Sequence, residues 1–128
     1  MSYYLSKIVD YTFDEAIEKA TAELKEVGFG ILTEIDVKET LKKKIDVDFR
    51  KYKILGACNP SFAHKALTAE DKIGVLLPCN VIVQETEDGQ VEVAIMNPME
   101  AMSVVKNEQL AGIAGEVNGL LESALAKI

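Results

Sequence analysis

The sequence predicts a single α+β domain over residues 1–128, a two-layer sandwich with helices packed on a mixed or antiparallel sheet of about five strands. Three observations predict this fold. Apolar stretches of strand composition alternate with stretches whose apolar residues recur every three or four positions. An Asp88-Gly89 turn joins the last two strands directly, which makes that pair antiparallel. The Gly-rich phosphate loop typical of a doubly wound α/β fold, the alternative, is missing from the sequence.

The first strand is predicted over residues 3–11, and Thr12 then begins a helix. Thr12 and Glu15 have the spacing of a capping box, in which each side chain accepts a hydrogen bond from the other residue's backbone N–H. Gly28 ends this helix, because glycine readily adopts the left-handed conformation. One apolar stripe at helical spacing predicts the buried side: Phe13, Ala16, Ile17, Ala20, Leu24 and Val27.

Two further strands and two further helices follow in alternation. A strand over residues 29–35 leads to a short basic helix that Asp36 caps. The next strand, residues 52–57, is almost wholly apolar, so we expect it in the interior of the sheet. Asn59-Pro60 begins the next helix, with asparagine as the cap and proline at the first helical position.

The last part of the chain predicts a long strand over residues 73–85, a return strand over 90–96, a helical segment from Asn97-Pro98, and a final helix over 107–128. Three glycines lie on or beside the apolar stripe of that helix: Gly112, Gly115 and Gly119. Each lowers helix stability by roughly 1 kcal/mol relative to alanine. We therefore expect another backbone, from the sheet or a second subunit, to pass close to them.

The triplet Pro78-Cys79-Asn80 interrupts a run of strong β-formers. Proline cannot donate a ladder hydrogen bond, and asparagine is a poor strand residue. The other cysteine lies in the related triplet Cys58-Asn59-Pro60. Each triplet is predicted to mark a strand irregularity that holds a thiol and an amide.

Composition limits the partners. The chain is 48% hydrophobic and 27% charged, which is ordinary for a soluble globular domain. No apolar run approaches the ~20 residues of a membrane span, and no secretory leader is seen, so a cytoplasmic protein with free thiols is expected. The net charge of −7 argues against nucleic acid. The basic segment 38–53 indicates either a solvated surface or a binding site for a small anion.

Cys58, Cys79 and His64 are the candidate ligands of a soft metal ion such as zinc or copper. A structural zinc site prefers four ligands in short paired spacings, and the cysteines form no Cys-x-x-Cys pair. Methionines at positions 96, 99 and 102 are either thioether ligands or packing residues.

Cysteine catalysis is a second interpretation. Cys58 precedes a helix N-terminus, where the helix dipole favours the thiolate, and His64 lies within the next two turns. A Cys–His pair would indicate acyl transfer or peroxide chemistry, whereas a small buried cysteine is the structural alternative.

Three segments carry a family resemblance: 29–36 (FGILTEID), 54–60 (ILGACNP) and 73–81 (IGVLLPCNV). In this order they resemble the bacterial and archaeal family called domain of unknown function 302. The resemblance covers nearly the whole chain and implies a compact α+β domain that forms a homodimer, with no established activity. Asn97 departs from the aspartate that the family usually has there. The family's hallmark positions are Glu34, Asp36, Cys58, Asn59, Pro60, Pro78, Cys79 and Asn80.

The hallmark residues fall at predicted strand ends, so the leading hypothesis is a small binding module. Its cleft would hold a small ligand or a soft metal ion through Glu34, Asp36, Cys58, Asn59, Cys79 and Asn80. One alternative is a cysteine-based redox or transfer enzyme. The other is a structural role at a dimer interface, where the amides would satisfy buried backbone groups.

Overall fold

Helices packed on an open five-stranded sheet form the structure, a computed structural model that describes residues 2–128. The strands are β1 (Tyr4–Val9), β2 (Gly30–Asp36), β3 (Tyr52–Cys58), β4 (Cys79–Glu85) and β5 (Val91–Met96). The helices are α1 (Phe13–Glu26), α2 (Val37–Ile45), α3 (Pro60–Ala69), α4 (Pro98–Ala101) and α5 (Glu108–Lys127), with a 3₁₀ helix over Asp71–Leu76. Within residues 2–128, no helix combines the length and the apolar character that crossing a membrane requires.

The sheet has the strand order β1-β5-β4-β3-β2, and every neighbouring pair is antiparallel. The predicted α+β class is therefore confirmed, and the doubly wound parallel alternative does not apply. The β4–β5 hairpin turns at Gly89, whose φ of +82° suits glycine. The apolar strand β3 lies in the interior of the sheet, between β4 and β2.

One face of the sheet packs against α1 and α5. Four residues of the predicted α1 stripe are buried there, Phe13, Ala16, Ala20 and Leu24. The other two, Ile17 and Val27, are partly buried against the same core. From the sheet this core takes Leu55, Val81, Val83, Val93 and Ile95, and from α5 it takes Val117, Leu121, Ala124 and Leu125. Burial of these side chains is the main source of stability, at ~1.5–3 kcal/mol for each large apolar residue.

The opposite face is called the open face below. Because successive strand residues point to opposite sides, the residues between the core positions belong to it. They include Tyr4, Ser6, Ile8, Thr33, Ile35, Tyr52, Ile54, Gly56, Asn80, Ile82, Gln84, Glu92 and Ala94. None of these residues belongs to the core cluster between the sheet and α1 and α5.

The local start signals of the helices are confirmed. Thr12 Oγ1 accepts from the N–H of Glu15 (3.2 Å), and Glu15 Oε1 accepts from the N–H of Thr12 (2.9 Å). The hydrogen bond from the Thr12 backbone also lowers the pKa of the Glu15 carboxyl. Asp36 caps α2 and Asn59 caps α3, as the sequence predicts.

The predicted long strand over residues 73–85 is wrong in its first half. Residues 71–76 form the 3₁₀ helix, and β4 begins only at Cys79. The segment is apolar because it contributes to a second small core: Ile73 is buried against Ala66, Met102, Leu110 and Ala114. Pro78 therefore precedes the strand instead of interrupting it.

A bulge in β2 changes which of its residues share a face. Ile31 pairs with Ala57 on the core side, but the register shifts between Ile31 and Thr33. Thr33 and Ile35 consequently lie on the open face. Simple alternation along 29–35 would place Ile31, Thr33 and Ile35 on one face, and the bulge separates Ile31 from the other two.

The three glycines of α5 do not approach the sheet. A Cβ added at Gly112, Gly115 or Gly119 would meet no atom within 4 Å in the described residues. The expectation that the sheet backbone passes close to them is therefore wrong, while approach by a second subunit stays a prediction.

Candidate functional site

The candidate site begins at the contact between the Pro78 ring and the backbone of β3. A Cβ added at Gly56 would contact Thr33 Oγ1 and would lie 2.8 Å from Pro78 Cγ. The proline ring can thus pack directly on the backbone of β3 only because residue 56 has no side chain. The Leu77–Pro78 peptide bond is cis. From Cys79 onward β4 pairs with β3, with Ala57 opposite Cys79.

Next to this contact lies a cavity of about 330 Å³ between the ends of β3 and β4 and the helices α3 and α5. We call it the cysteine cavity, because Cys58 and Cys79 both line it. Its other polar lining residues are Thr33 and Asn59. The remaining wall is apolar and includes Phe29, Leu32, Ala57, Phe62, Ala63, Ala66, Leu67, Leu77, Met102, Ile113 and Val117.

The two cysteines lie on neighbouring strands. Cys58 is the last residue of β3 and is half-buried, whereas Cys79 is the first residue of β4 and is 6% exposed. Both thiols are free. Because Ala57 is opposite Cys79, Cys58 is offset from Cys79 by one position along the strand.

Burial controls the protonation of Cys79. Loss of hydration, and secondarily the nearby Cys58, raise the pKa of the Cys79 thiol from 9.0 to about 11. A thiolate is disfavoured where water cannot solvate it. Cys79 therefore presents a neutral S–H to the cavity at physiological pH, which does not suit a resting nucleophile.

Asn59 connects two helices beside the cavity. Its Oδ1 accepts from the N–H of Phe62 at 3.4 Å and so caps α3. Its Nδ2 lies 2.8 Å from where a Cβ of Gly28 would stand, so the amide packs on the chain just after α1. Gly28 also has a φ of +91°, which favours glycine on its own account.

The structure brings Cys58, Asn59 and Cys79 to one cavity and places the other predicted site residues elsewhere. Asn80 belongs to the open face. Glu34 forms a salt bridge with Lys53 at 3.6 Å. Asp36 accepts from the N–H of Glu39 as the cap of α2.

His64 is exposed on α3 and lines a shallow surface depression with Gln109 and Gly112, outside the cysteine cavity. In residues 2–128, no group of three or more histidine, cysteine, aspartate or glutamate side chains is arranged to hold a metal ion.

Sequence reasoning missed the residues that shape the cavity from a distance. Phe29, Phe62 and Ile113 line the cavity, and nothing in their sequence spacing indicates this. Gly56 gave a usable signal, because a glycine within an apolar strand often marks close approach of another group.

Comparison with known proteins places the chain in a family. The family model "Domain of unknown function DUF302" matches residues 5–128. The chain belongs to the DUF302 family. It is also similar to a solved structure, the uncharacterized conserved protein DUF302 from Bacillus stearothermophilus, with a TM-score of 0.92 and 27% identity. The similarity covers 99% of this chain and 98% of that one. A comparison with curated proteins gave no match.

The Gly56→Ala variant tests the contact between β3 and Pro78. The added methyl group would collide with the proline ring, so we expect the free energy of unfolding to fall by about 1–3 kcal/mol. Gly112→Ala is the matched control. That position is open and helical, so alanine should raise the free energy of unfolding by about 0.5–1 kcal/mol. Urea denaturation measures both, and an unchanged midpoint for Gly56→Ala would show that the contact is loose.

The thiol of Cys79 should react slowly. In the Cys58→Ser variant, which leaves one cysteine, the raised pKa should lower the rate of alkylation by iodoacetamide at pH 8 about a hundredfold relative to a model thiol. The rate should keep rising until about pH 11. The pKa of the Cys79 thiol is higher in the folded chain than in the unfolded chain, so the folded state holds the proton more tightly. The free energy of unfolding should therefore fall as pH rises from 9.0 to about 11. A reaction as fast as that of the model thiol would contradict the assigned burial.

Proposed function

We propose that this domain binds a small, mainly apolar and uncharged molecule in the cysteine cavity. The observation that carries the proposal is the cavity itself, about 330 Å³ of space with an apolar wall and a few polar groups. Ligand sites in proteins commonly have this size and composition. The DUF302 family does not supply a ligand, so the proposal depends on the chemistry of the wall.

The wall favours a neutral ligand. Among the described residues that line the cavity, none carries a charged side chain. A buried ionic group of a ligand would therefore lack a partner, which is energetically expensive. The Asn59 amide and the two thiols supply weak polar contacts that would orient a ligand without requiring charge.

Apolar residues at the cavity also reach the solvent. Leu32 is 68% exposed and Leu67 is 43% exposed, although both contribute to the lining. Covering an exposed leucine with an apolar molecule removes apolar surface from water, which stabilises the complex. They therefore favour entry of an apolar ligand from this side, between β2 and α3.

A fluorescent probe tests this function. The neutral probe N-phenyl-1-naphthylamine should bind the native chain with increased emission. Ala63→Phe places an aromatic ring in the cavity and so removes space for the probe. The dissociation constant of the probe should rise about tenfold or more, which corresponds to a loss of ~1.4 kcal/mol of binding free energy. Ala111→Phe, at an exposed position of α5 outside this cavity, is the control and should bind as the native chain does. Failure of the native chain to bind, or equal binding by both variants, would refute the proposal.

A soft metal ion is the second candidate, because Met102 lines the cavity together with Cys58 and Cys79. Two thiolates and a thioether suit copper(I), which accepts low coordination numbers and soft ligands. Zinc is less well matched, since it prefers four ligands, and the exposed His64 is not part of this lining.

Copper(I) titration against a chelator of known affinity, without oxygen, tests the second candidate. Native protein should bind one ion per chain, and Cys58→Ser or Cys79→Ser should weaken binding by at least about 100-fold, since each removes one of very few ligands. His64→Ala is the control and should bind normally. Affinity that is unchanged in both cysteine variants would rule out a site at this cavity.

The cysteine-enzyme interpretation receives less support. Cys79 has a raised pKa, and His64 lies outside the cavity that contains both thiols. Both features favour binding over nucleophilic transfer. A cytoplasmic location and a homodimer stay predictions, as does a structural role for the asparagines.

A further inference from the structure

The open face contains a second depression, separate from the cysteine cavity. It has a volume of about 490 Å³, and Ala94 of β5 and Ile82 of β4, which are cross-strand neighbours, lie within it. Tyr3, Tyr4 and Tyr52 contribute aromatic rings to its wall. In residues 2–128 it shares no lining residue with the cysteine cavity. Concave sites with aromatic walls and a few polar groups are where proteins commonly bind small molecules.

The sheet register gives this depression two ends. Tyr52, Gln84 and Glu92 are cross-strand neighbours in one row across β3, β4 and β5. Tyr4 of β1 lies opposite Met96, four residues further along β5 than Glu92. Four residues of a strand span roughly 13 Å. A ligand that contacts both Tyr4 and Glu92 must therefore be elongated.

The end beside β1 is aromatic. The rings of Tyr3 and Tyr4 meet edge to face, with their centroids 5.1 Å apart, and both side chains are exposed. Aromatic side chains pack favourably on other rings in edge-to-face and offset-stacked arrangements. Asn80, a predicted ligand-binding residue that does not line the cysteine cavity, lines this depression and contributes an amide. This end therefore suits an aromatic ring of a ligand.

The other end carries a negative charge. Among the described residues that line the depression, Glu92 alone has a charged side chain, and its Oε1 accepts a hydrogen bond from Gln84 Nε2 at 2.8 Å. No lysine, arginine or histidine in residues 2–128 forms an ion pair with Glu92. Arg50 Nε donates instead to Gln84 Oε1 at 2.9 Å, and its guanidinium lies 4.4 Å from the centroid of the Phe49 ring. The Glu92 carboxylate can therefore pair with a cation of a ligand.

These charges favour an amine as the ligand. The whole chain carries a net charge of −7, which attracts cations and repels anions. A protonated amine donates a charge-assisted hydrogen bond to a carboxylate, and such a bond is stronger than one between neutral groups. An anionic ligand would meet no lysine or arginine among the described residues that line the depression.

We propose that this depression binds a small aromatic amine. The protonated amino group pairs with Glu92, and a short carbon chain connects it to an aromatic ring that packs against Tyr3 and Tyr4. Ala94 and Ile82 contact the apolar middle of the molecule. Because the two sites share no lining residue, this proposal is independent of the ligand proposed for the cysteine cavity.

Three indole compounds of similar shape and different charge test the proposal. At neutral pH tryptamine is a cation, tryptophol is uncharged and indole-3-acetate is an anion. The chain contains no tryptophan, so indole fluorescence reports the ligand alone. The native chain should bind one tryptamine, at least about tenfold more tightly than tryptophol, because only the ammonium group gains a charge-assisted hydrogen bond. Indole-3-acetate should bind least.

Four variants locate the site. Glu92→Gln should raise the dissociation constant of tryptamine about tenfold and leave that of tryptophol unchanged, since it removes the charge and keeps the shape. Tyr4→Leu should weaken both compounds by a similar factor, because it removes a ring. Glu87→Gln, on the exposed hairpin turn outside the depression, makes the same change in net charge and should bind as the native chain does. Ala63→Phe, in the cysteine cavity, should also leave tryptamine binding unchanged.

Far-UV circular dichroism establishes that each variant is folded, and the three compounds with the native chain decide the outcome if Glu92→Gln unfolds. Equal affinities for tryptamine and tryptophol, or no saturable binding of tryptamine, would overturn the proposal. So would a folded Glu92→Gln variant that still prefers tryptamine, because the amine would then pair with another group. Loss of tryptamine binding in Ala63→Phe would also overturn it, since the compound would then occupy the cysteine cavity.

Discussion

The contact between the Pro78 ring and the backbone of Gly56 determines the geometry of the whole site. It requires that β3 carry no side chain at this point, and it places the proline immediately before β4. Pairing can then begin at Cys79, opposite Ala57. That register directs Val81 and Val83 into the core and Asn80 and Ile82 to the open face. A shift by one residue would exchange these two sets, so the contact and the core depend on the same register.

The same arrangement explains why a cavity exists beside the contact. The 3₁₀ helix packs into the second small core, with Ile73 against Met102 and Leu110, while Phe29 and Val117 belong to the main core. The cysteine cavity lies where lining residues of both cores meet, and small side chains at Ala57, Ala63 and Ala66 face it. Protein interiors are normally close-packed, so space of this size between two cores is more consistent with a ligand than with packing alone.

Local features of this fold could be predicted from the sequence, and distant ones could not. Thr12, Asp36 and Asn59 were identified as caps because a cap depends on residues three positions away. The prediction of a strand from residue 73 is wrong because an apolar run suits a strand and a short helix over a second core equally well. The meeting of the two cysteines with α5 residues such as Ile113 depends on the order of strands and helices in space, which sequence spacing does not contain.

The protonation of Cys79 separates the two ligand classes that we propose for the cavity. Copper(I) must displace the proton of a thiol whose pKa is raised to about 11, so its affinity should rise with pH across the neutral range. A neutral apolar ligand displaces no proton and should bind with an affinity that is flat over the same range. The burial that raises the pKa of Cys79 thus opposes a metal at neutral pH and leaves an uncharged ligand unaffected. On this physical ground the apolar ligand is the better match to the structure.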